Sequence, residues 1–487
     1  MLSFIVFAPA VGGLLCLLLP RARESDARWI ALIASGVTLV ASIALFVAFD
    51  LGDDGFQFVE RLTWVDSEAA GFDLQYLMGV DGLSVALVLL TGLLGVVAVL
   101  VSFGVSLRPR EYFFWLLVLE TGIMGVFTSL DLMMFFLFWE VELVPMYMLI
   151  SIWGTGRKEY SAWKFVLYTI AGSSLMLAGF LILGFEAGTF DMRALREMEI
   201  SDAIIPLNVL FALLAAAFVV KLPVFPFHTW LPDAHTDAPT AVSVMLAGAL
   251  LKMGGYGILR ICIAILPAQA DDWAVIMATF GAINVIYGAV LTLRQTDLKR
   301  LIAYSSVSHM GYVLIGAAAL GEVGLTGAAL MMVTHGLITG LLFVMVGLVY
   351  ERTHTRDIGQ MRGLATRMPF LASAMMFAGL AALGLPSMAG FVAEFTVFIG
   401  AFERFEIPTL LGVFGVLLAA GYMLWAIQRV FFGPPDERWA GLNNRVQWWE
   451  QAPVFALGVL ILAVGVYPAI LVDVLEHGIE PISGRIV

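Results

Sequence analysis

The sequence predicts an all-α polytopic membrane protein of about fourteen transmembrane helices. Three observations lead there. Of 487 residues, 61% are hydrophobic and 13% charged, with a mean hydropathy of +0.95, whereas an average soluble chain is about a quarter charged. Apolar runs of roughly 20 residues, the length that crosses a hydrocarbon core, recur from end to end. Most of the 26 lysines and arginines fall in alternate connections between those runs, the asymmetry that the positive-inside rule describes.

Taken in order, the runs lie near 2–20, 28–49, 78–106, 112–130, 131–153, 162–184, 206–230, 238–266, 272–293, 299–319, 324–350, 368–402, 408–431 and 452–475. The first begins at Leu2 with no basic residue before it. It therefore lacks the positive n-region of a cleaved signal peptide and reads as a retained helix. Asp50 to Phe72 is the longest polar stretch and reads as an acidic loop. There Asp50, Asp53, Asp54, Glu60, Asp66 and Glu68, with Asp73 just beyond, face a single Arg61. Placing the basic connections in the cytoplasm puts both termini outside, and the alternation supports an even number of helices. The whole of 1–487 is then one membrane domain. It divides into three N-terminal helices (1–111), a five-helix unit (112–266), a second five-helix unit (272–431) and a C-terminal helix (452–475).

The two units rest on local matches at nearly one offset. Met146–Ile150 resembles Met310–Ile315, Thr169 resembles Thr334, and Leu222-Pro223 resembles Leu385-Pro386, at offsets of 163 to 165. An odd number of helices per unit orients the copies oppositely, the plan of many ion carriers. Pro223 and Pro226 in the seventh helix, and Pro386 in the twelfth, predict broken helices. Proline removes a backbone donor and displaces the carbonyl one turn earlier, which membranes tolerate where the break is buried in protein or lines a wet cavity.

Composition also bounds the chemistry. The only cysteines, Cys16 and Cys262, both lie in apolar runs. Iron–sulfur clusters need cysteine quartets or Cys/His sets and zinc needs comparable groups. No glycine-rich nucleotide fingerprint follows a strand. The expectation is a chain that binds no cofactor and no metal. A net charge of −12 argues against nucleic acid as a partner and leaves the lipid bilayer and protons.

Four ionisable residues stand in mid-membrane runs: Glu140, Lys221, Lys252 and Glu394. A charge at bilayer depth costs at least ~2.5–3.5 kcal/mol, so such groups point to ion or proton pathways. A buried lysine with a movable acidic partner can hold its proton when paired and release it when unpaired. Glu140 is the expected partner of Lys221. Glu142 stands about 200° further round a continuous helix, so both acids would not face one lysine. His309 and His335 fall between Lys252 and Glu394 in chain order and suit a relay. His228 and His235, flanking Trp230–Asp233, are candidates for guiding protons in from the cytoplasm or are residues of a solvated loop. Glu120 is a further buried acid. The competing reading is a static ion pair that pins helices together, since removing one member of a buried pair costs ~3–5 kcal/mol.

The segments FWEVELVPMYMLISIWG, KFVLYTIAGS, VKLPVFPFHTWLPDAHTDAPT, LLKMGGYGILR, DLKRLIAYSSVSHMGYVLIG, ERTHTRDI and GLPSMAGFVAEF resemble the antiporter-like M subunits of proton-translocating NADH:quinone oxidoreductase, respiratory complex I. The likeness runs over residues 79–448. It implies fourteen helices in two inverted units and a non-redox translocase subunit. It implies a place in the membrane arm beside related L and N type subunits, in a bacterial inner membrane with both termini periplasmic. The matching Glu140, Lys221, Lys252 and Glu394 would form the proton line, with His309 and His335 along it. Glu142 departs from the pattern of some relatives. Multisubunit sodium/proton antiporters share the buried Lys and Glu motifs, and a purely structural spacer subunit is the third possibility.

Overall fold

A computed structural model describes residues 1–53, 55–67, 72–198, 200, 204–442 and 444–486. Among the described residues eleven helical spans are long and apolar enough to cross a membrane, with α5 and α6 below counted as one, and four shorter apolar helices accompany them. In chain order they begin with α1 (Leu2–Leu18), α2 (Ala27–Val47), α3 (Gly82–Val101) and α4 (Pro109–Thr128). Then come α5 (Leu132–Val141), α6 (Leu143–Trp153), α7 (Lys158–Ala187), α8 (Met192–Glu197), α9 (Leu207–Lys221) and α10 (Trp230–Asp237). The second half holds α11 (Thr240–Ile263), α12 (Pro267–Leu293), α13 (Leu298–Ala319), α14 (Glu322–Thr353), α15 (Pro369–Ala382), α16 (Ala389–Phe402), α17 (Glu406–Phe431), α18 (Trp448–Val466) and α19 (Ala469–Ser483).

Proline sits at the first position of α4, α12 and α15, where its missing N–H belongs to a donor that would be unpaired anyway. Aspartates cap α3, α5 and α13. Asp81 and Ser84 form a reciprocal capping box, and Asp131 accepts from Met133 and Met134 at 2.9 and 3.0 Å. Asp297 accepts from Lys299 and Arg300 at 2.8 and 3.0 Å.

The centre is α11, α13 and α14, buried along almost their whole length, whereas α2, α7 and α17 turn broad apolar faces outward. The breaks expected at proline are present. Between α9 and α10 the chain passes through Pro223 and Pro226, and between α15 and α16 through Pro386. A device absent from the sequence reading is the pair of π-helical turns in α11, Leu246–Leu250 and Ile258–Ile263, on either side of Lys252. Such turns are frequent at functional sites.

Two short backbone bridges have the same construction. Asp131 pairs with Asp191 and Asp297 with Asp357, closed by Leu132 N–H to Phe190 O (2.9 Å) and Met192 N–H to Leu130 O (2.8 Å), and by Leu298 N–H to Arg356 O (2.9 Å) and Ile358 N–H to Thr296 O (2.8 Å). Every member of the second bridge stands 166 positions after its counterpart in the first.

Two expectations are corrected. The polar stretch after α2 is a hairpin, β1 (Gln57–Ser67) antiparallel to β2 (Phe72–Val80), with Leu77, Met78 and Val80 buried. The apolar residues Phe58, Leu62 and Trp64, spaced at even intervals along β1, are a strand signal that the high acid content masks. Asp54 and Glu68 of the expected loop lie outside the described residues. The run expected at 452–475 ends at Val466, and a separate helix, α19, follows Pro468, because proline has no N–H with which to continue the ladder.

Candidate functional site: two buried acid–base clusters

Lys221 is the last residue of α9 and is fully buried. The helix stops there because Pro223 lacks a donor and its ring displaces the Val219 carbonyl. The freed backbone groups find partners. Trp230 Nε1 donates to Val220 O at 3.0 Å, Val224 N–H donates to Val219 O at 3.0 Å, and the buried Asn284 of α12 accepts from Phe225 N–H at 2.7 Å and donates to Pro223 O at 3.1 Å. Burial of these bonds makes the break a fixed feature.

The Lys221 ammonium donates to Glu142 Oε1, an ion pair with both side chains wholly buried. It also lies 5.1 Å from the Trp139 ring centre and 5.2 Å from that of Phe165. This corrects the expected pairing: Glu140 is within electrostatic reach of Lys221, but its Oε1 is buried without a hydrogen bond. The 200° separation of the two acids holds only for an unbroken helix. Here α5 ends and α6 begins at Glu142, a turn before Pro145, whose ring excludes the Val141 carbonyl.

The second cluster surrounds Lys252. Its Nζ donates to Ala247 O, a carbonyl of the first π turn, and lies 2.7 Å from His335 Nδ1. An ammonium has donors only, so the imidazole nitrogen accepts. His335 and His309 have ring centres 5.6 Å apart, and His309 Nε2 stands 3.9 Å from Glu394 Oε1. All four side chains are buried. A gap of about 10 Å³ is lined by Ser305, His309, Thr334, His335, Thr339 and Glu394, the room that a single water requires (~10–15 Å³). Glu394 abuts Gly384, whose φ of +73° puts the α15–α16 break against the carboxyl.

Between the clusters, α11 packs backbone to backbone on α9. A Cβ at Gly254 would stand 2.7 Å from both Leu222 N and Phe218 O.

The structure also seats the remaining histidines. His228 and His235 are 2% and 0% exposed, which removes the solvated-loop reading. His228 packs edge-on against Tyr287. His235 stacks on Phe343 with ring centres 4.6 Å apart, its two nitrogens without hydrogen bonds, in electrostatic reach of both Lys252 and Lys299. Lys299 is itself 5% exposed and donates to Ala238 O. In sequence it only opens the apolar run expected at 299–319, beside a basic connection.

A second omission is Arg260, buried in the other π turn and ion-paired with Asp81. Glu120 is buried against Gly95 of α3 with an unpaired oxygen. Among the described residues no group of His, Cys, Asp or Glu is arranged to hold a metal ion.

Residues 129–419 match the NADH:quinone oxidoreductase/Mrp antiporter transmembrane family. A Rhodobacter capsulatus protein, NADH-quinone oxidoreductase subunit M, is 39% identical over 98% of this chain and 94% of its own length. A chain of respiratory complex I from Thermus thermophilus superposes with a TM-score of 0.89 at 28% identity, covering 100% of both. A chain of the Mrp complex from Dietzia sp. DQ12-45-1b, at TM-score 0.85 and 22% identity over 99% of this chain and 98% of its own, shares the fold. The chain belongs to the NADH:quinone oxidoreductase/Mrp antiporter membrane family, in the antiporter-like subunit M branch of complex I.

Proposed function

We propose that this subunit translocates protons through the two buried clusters, driven by quinone reduction elsewhere in the complex. The observation that carries the reading is the line Lys252–His335–His309–Glu394, which joins an ammonium to a carboxyl through two imidazoles with no interval wider than one water. Histidine exchanges protons near neutral pH. Buried ionisable groups inside membrane helices are placed there at a cost that function repays. Lys221 with its acids forms the other station, and Lys299 and His235 form the entry toward Lys252.

The chain itself supplies no energy. Moving one charge against 100 mV takes about 2.3 kcal/mol, and the reading gives this subunit no redox cofactor of its own. Coupling then arrives through neighbouring L and N type membrane-arm subunits. The matched aspartate bridges 166 residues apart support two structural units, 112–266 and 272–431, in inverted orientation. The distribution of lysine and arginine supports periplasmic termini in a bacterial inner membrane.

The test is Lys221→Ala and Lys252→Ala in membranes carrying the whole complex. Assembly on a native gel is expected to persist while protons pumped per NADH fall. Wild-type pumping in both variants would remove the relay, and loss of assembly before pumping would favour a structural spacer.

A further inference from the structure

The acid that holds Lys221 is not the one at the position the family resemblance points to. Lys221 is bonded to Glu142. Glu140, on the other side of the helix interruption, keeps a buried carboxylate oxygen without a partner, and Glu142 keeps its second oxygen likewise. One ammonium is therefore bonded to one carboxyl group and lies within electrostatic reach of a second, across an interruption in the helix that carries both. The break is backed by α4, where Gly122 leaves only 3.3 Å between a would-be Cβ and Glu142 N. Trp139 and Phe165 close the remaining sides with ring faces. These attract a cation without fixing it to one direction.

We propose that Glu142 is a second proton-handling carboxylate of this site, and that the Lys221 side chain exchanges between Glu142 and Glu140. The inference rests on the relay reading above. In the exchange, one N–H···O bond to Glu142 breaks and one to Glu140 forms. The carboxylate left behind has lost its cation in a low-dielectric site, so it takes up one proton from the water path. It gives that proton up when the ammonium returns, leaving one proton taken in and one released per cycle. Glu142 thereby positions Lys221 in one of two seats, where a single acid offers one.

The experiment uses the assembled complex with Glu142→Gln, Glu142→Met, Glu142→Asp, Glu140→Gln and Lys221→Ala, measuring native-gel assembly, NADH-driven proton uptake and its pH profile. Glu142→Gln is expected to assemble, to lose roughly tenfold in pumping rate, the effect of about 1.4 kcal/mol on a barrier, and to displace the pH profile. Glu142→Asp restores part of both. Wild-type pumping and pH profile in Glu142→Gln, with Lys221→Ala inactive, would overturn the proposal and leave the relay standing. Wild-type pumping in Lys221→Ala would remove the relay and the proposal together. If Glu142→Gln does not assemble, Glu142→Met is judged by the same criterion, and failure of both marks Glu142 as structural and overturns the proposal.

Discussion

Lys252 and His335 meet at 2.7 Å in the buried centre of the molecule, one on a helix loosened by two π turns and the other on its long neighbour α14. Replacing His335 by alanine leaves the ammonium with the Ala247 carbonyl as its only hydrogen-bond acceptor among the described residues. A buried polar group deprived of a partner costs about 1–3 kcal/mol. That is small against the packing of a whole helical bundle, so His335→Ala is expected to assemble normally. Proton pumping per NADH should drop while NADH oxidation by the peripheral part of the complex stays measurable. Pumping at the wild-type ratio would take His335 out of the path.

The close approach at Gly254 joins the two clusters mechanically. Any Cβ there would overlap backbone atoms of Phe218 and Leu222, and backbone moves only with its whole helix. Gly254→Ala is therefore expected to push α9 away from α11, at the ~1–3 kcal/mol typical of overpacking, and to shift the Lys221 seat. A lowered midpoint of thermal disassembly together with reduced pumping is the expected pair of results. Unchanged melting would show that the interface yields without strain.

Much of this was legible in sequence because bilayer helices announce themselves by length and composition, and because a charge at that depth has few innocent explanations. The breaks at Pro223 and Pro386 were legible for the same local reason. What escaped depends on departures from regular helix. Glu140 was the expected partner of Lys221 and Glu142 was set aside by an angle that applies only to an unbroken helix, whereas Pro145 interrupts that helix at Glu142. Lys299 escaped notice because it stands at the edge of an apolar run, where basic residues are expected. The π turns of α11 have no side-chain signature of their own, and its glycines Gly254, Gly255 and Gly257 lie between them. The hairpin was hidden because its acid content outweighed a readable strand alternation.

Asp131 and Asp297 cap corresponding helices with the same pair of hydrogen bonds. Loss of such a cap costs about 0.5–2 kcal/mol. Asp297 is also ion-paired with Arg356, Nε to Oδ2 at 3.2 Å, so Asp297→Ala removes an ion pair as well as the cap. Asp297→Ala is expected to lower thermal stability more than Asp131→Ala, with Asn at either position recovering most of the loss. Equal effects would mean the Arg356 pair adds nothing, as holds for many partly exposed pairs.

At the β1–β2 hairpin, Glu60 accepts hydrogen bonds from the amino terminus and from both the hydroxyl and the amide of Ser3. Partial burial pushes its carboxyl upward, but these bonds outweigh it and hold the group below the usual carboxylate range. A depressed folded value means the stabilisation is present above the ordinary carboxylate value, ~4.3, and is lost as the pH falls through the lower folded one. Protection factors of the amides in β1 and β2, corrected for the intrinsic exchange rate at each pH, should therefore fall on acidification in wild type. In Glu60→Gln the extra acid sensitivity should vanish. Parallel acid profiles for the two would show that Ser3 and the amino terminus do not anchor the hairpin.

Arg260 offers the sharpest contrast between charge and packing. It is buried in the second π turn and paired with Asp81, while Asp81 also caps α3 through Ser84. Removing one member of a buried pair leaves the other charge uncompensated, at ~3–5 kcal/mol. Arg260→Met is therefore expected to destabilise the complex strongly. The double change Arg260→Met with Asp81→Asn keeps a capping oxygen and removes the orphaned charge, so it should recover most of the loss. A double variant as unstable as the single one would place the cost in the lost stacking of Arg260 on Phe56 and Tyr256 and not in its charge.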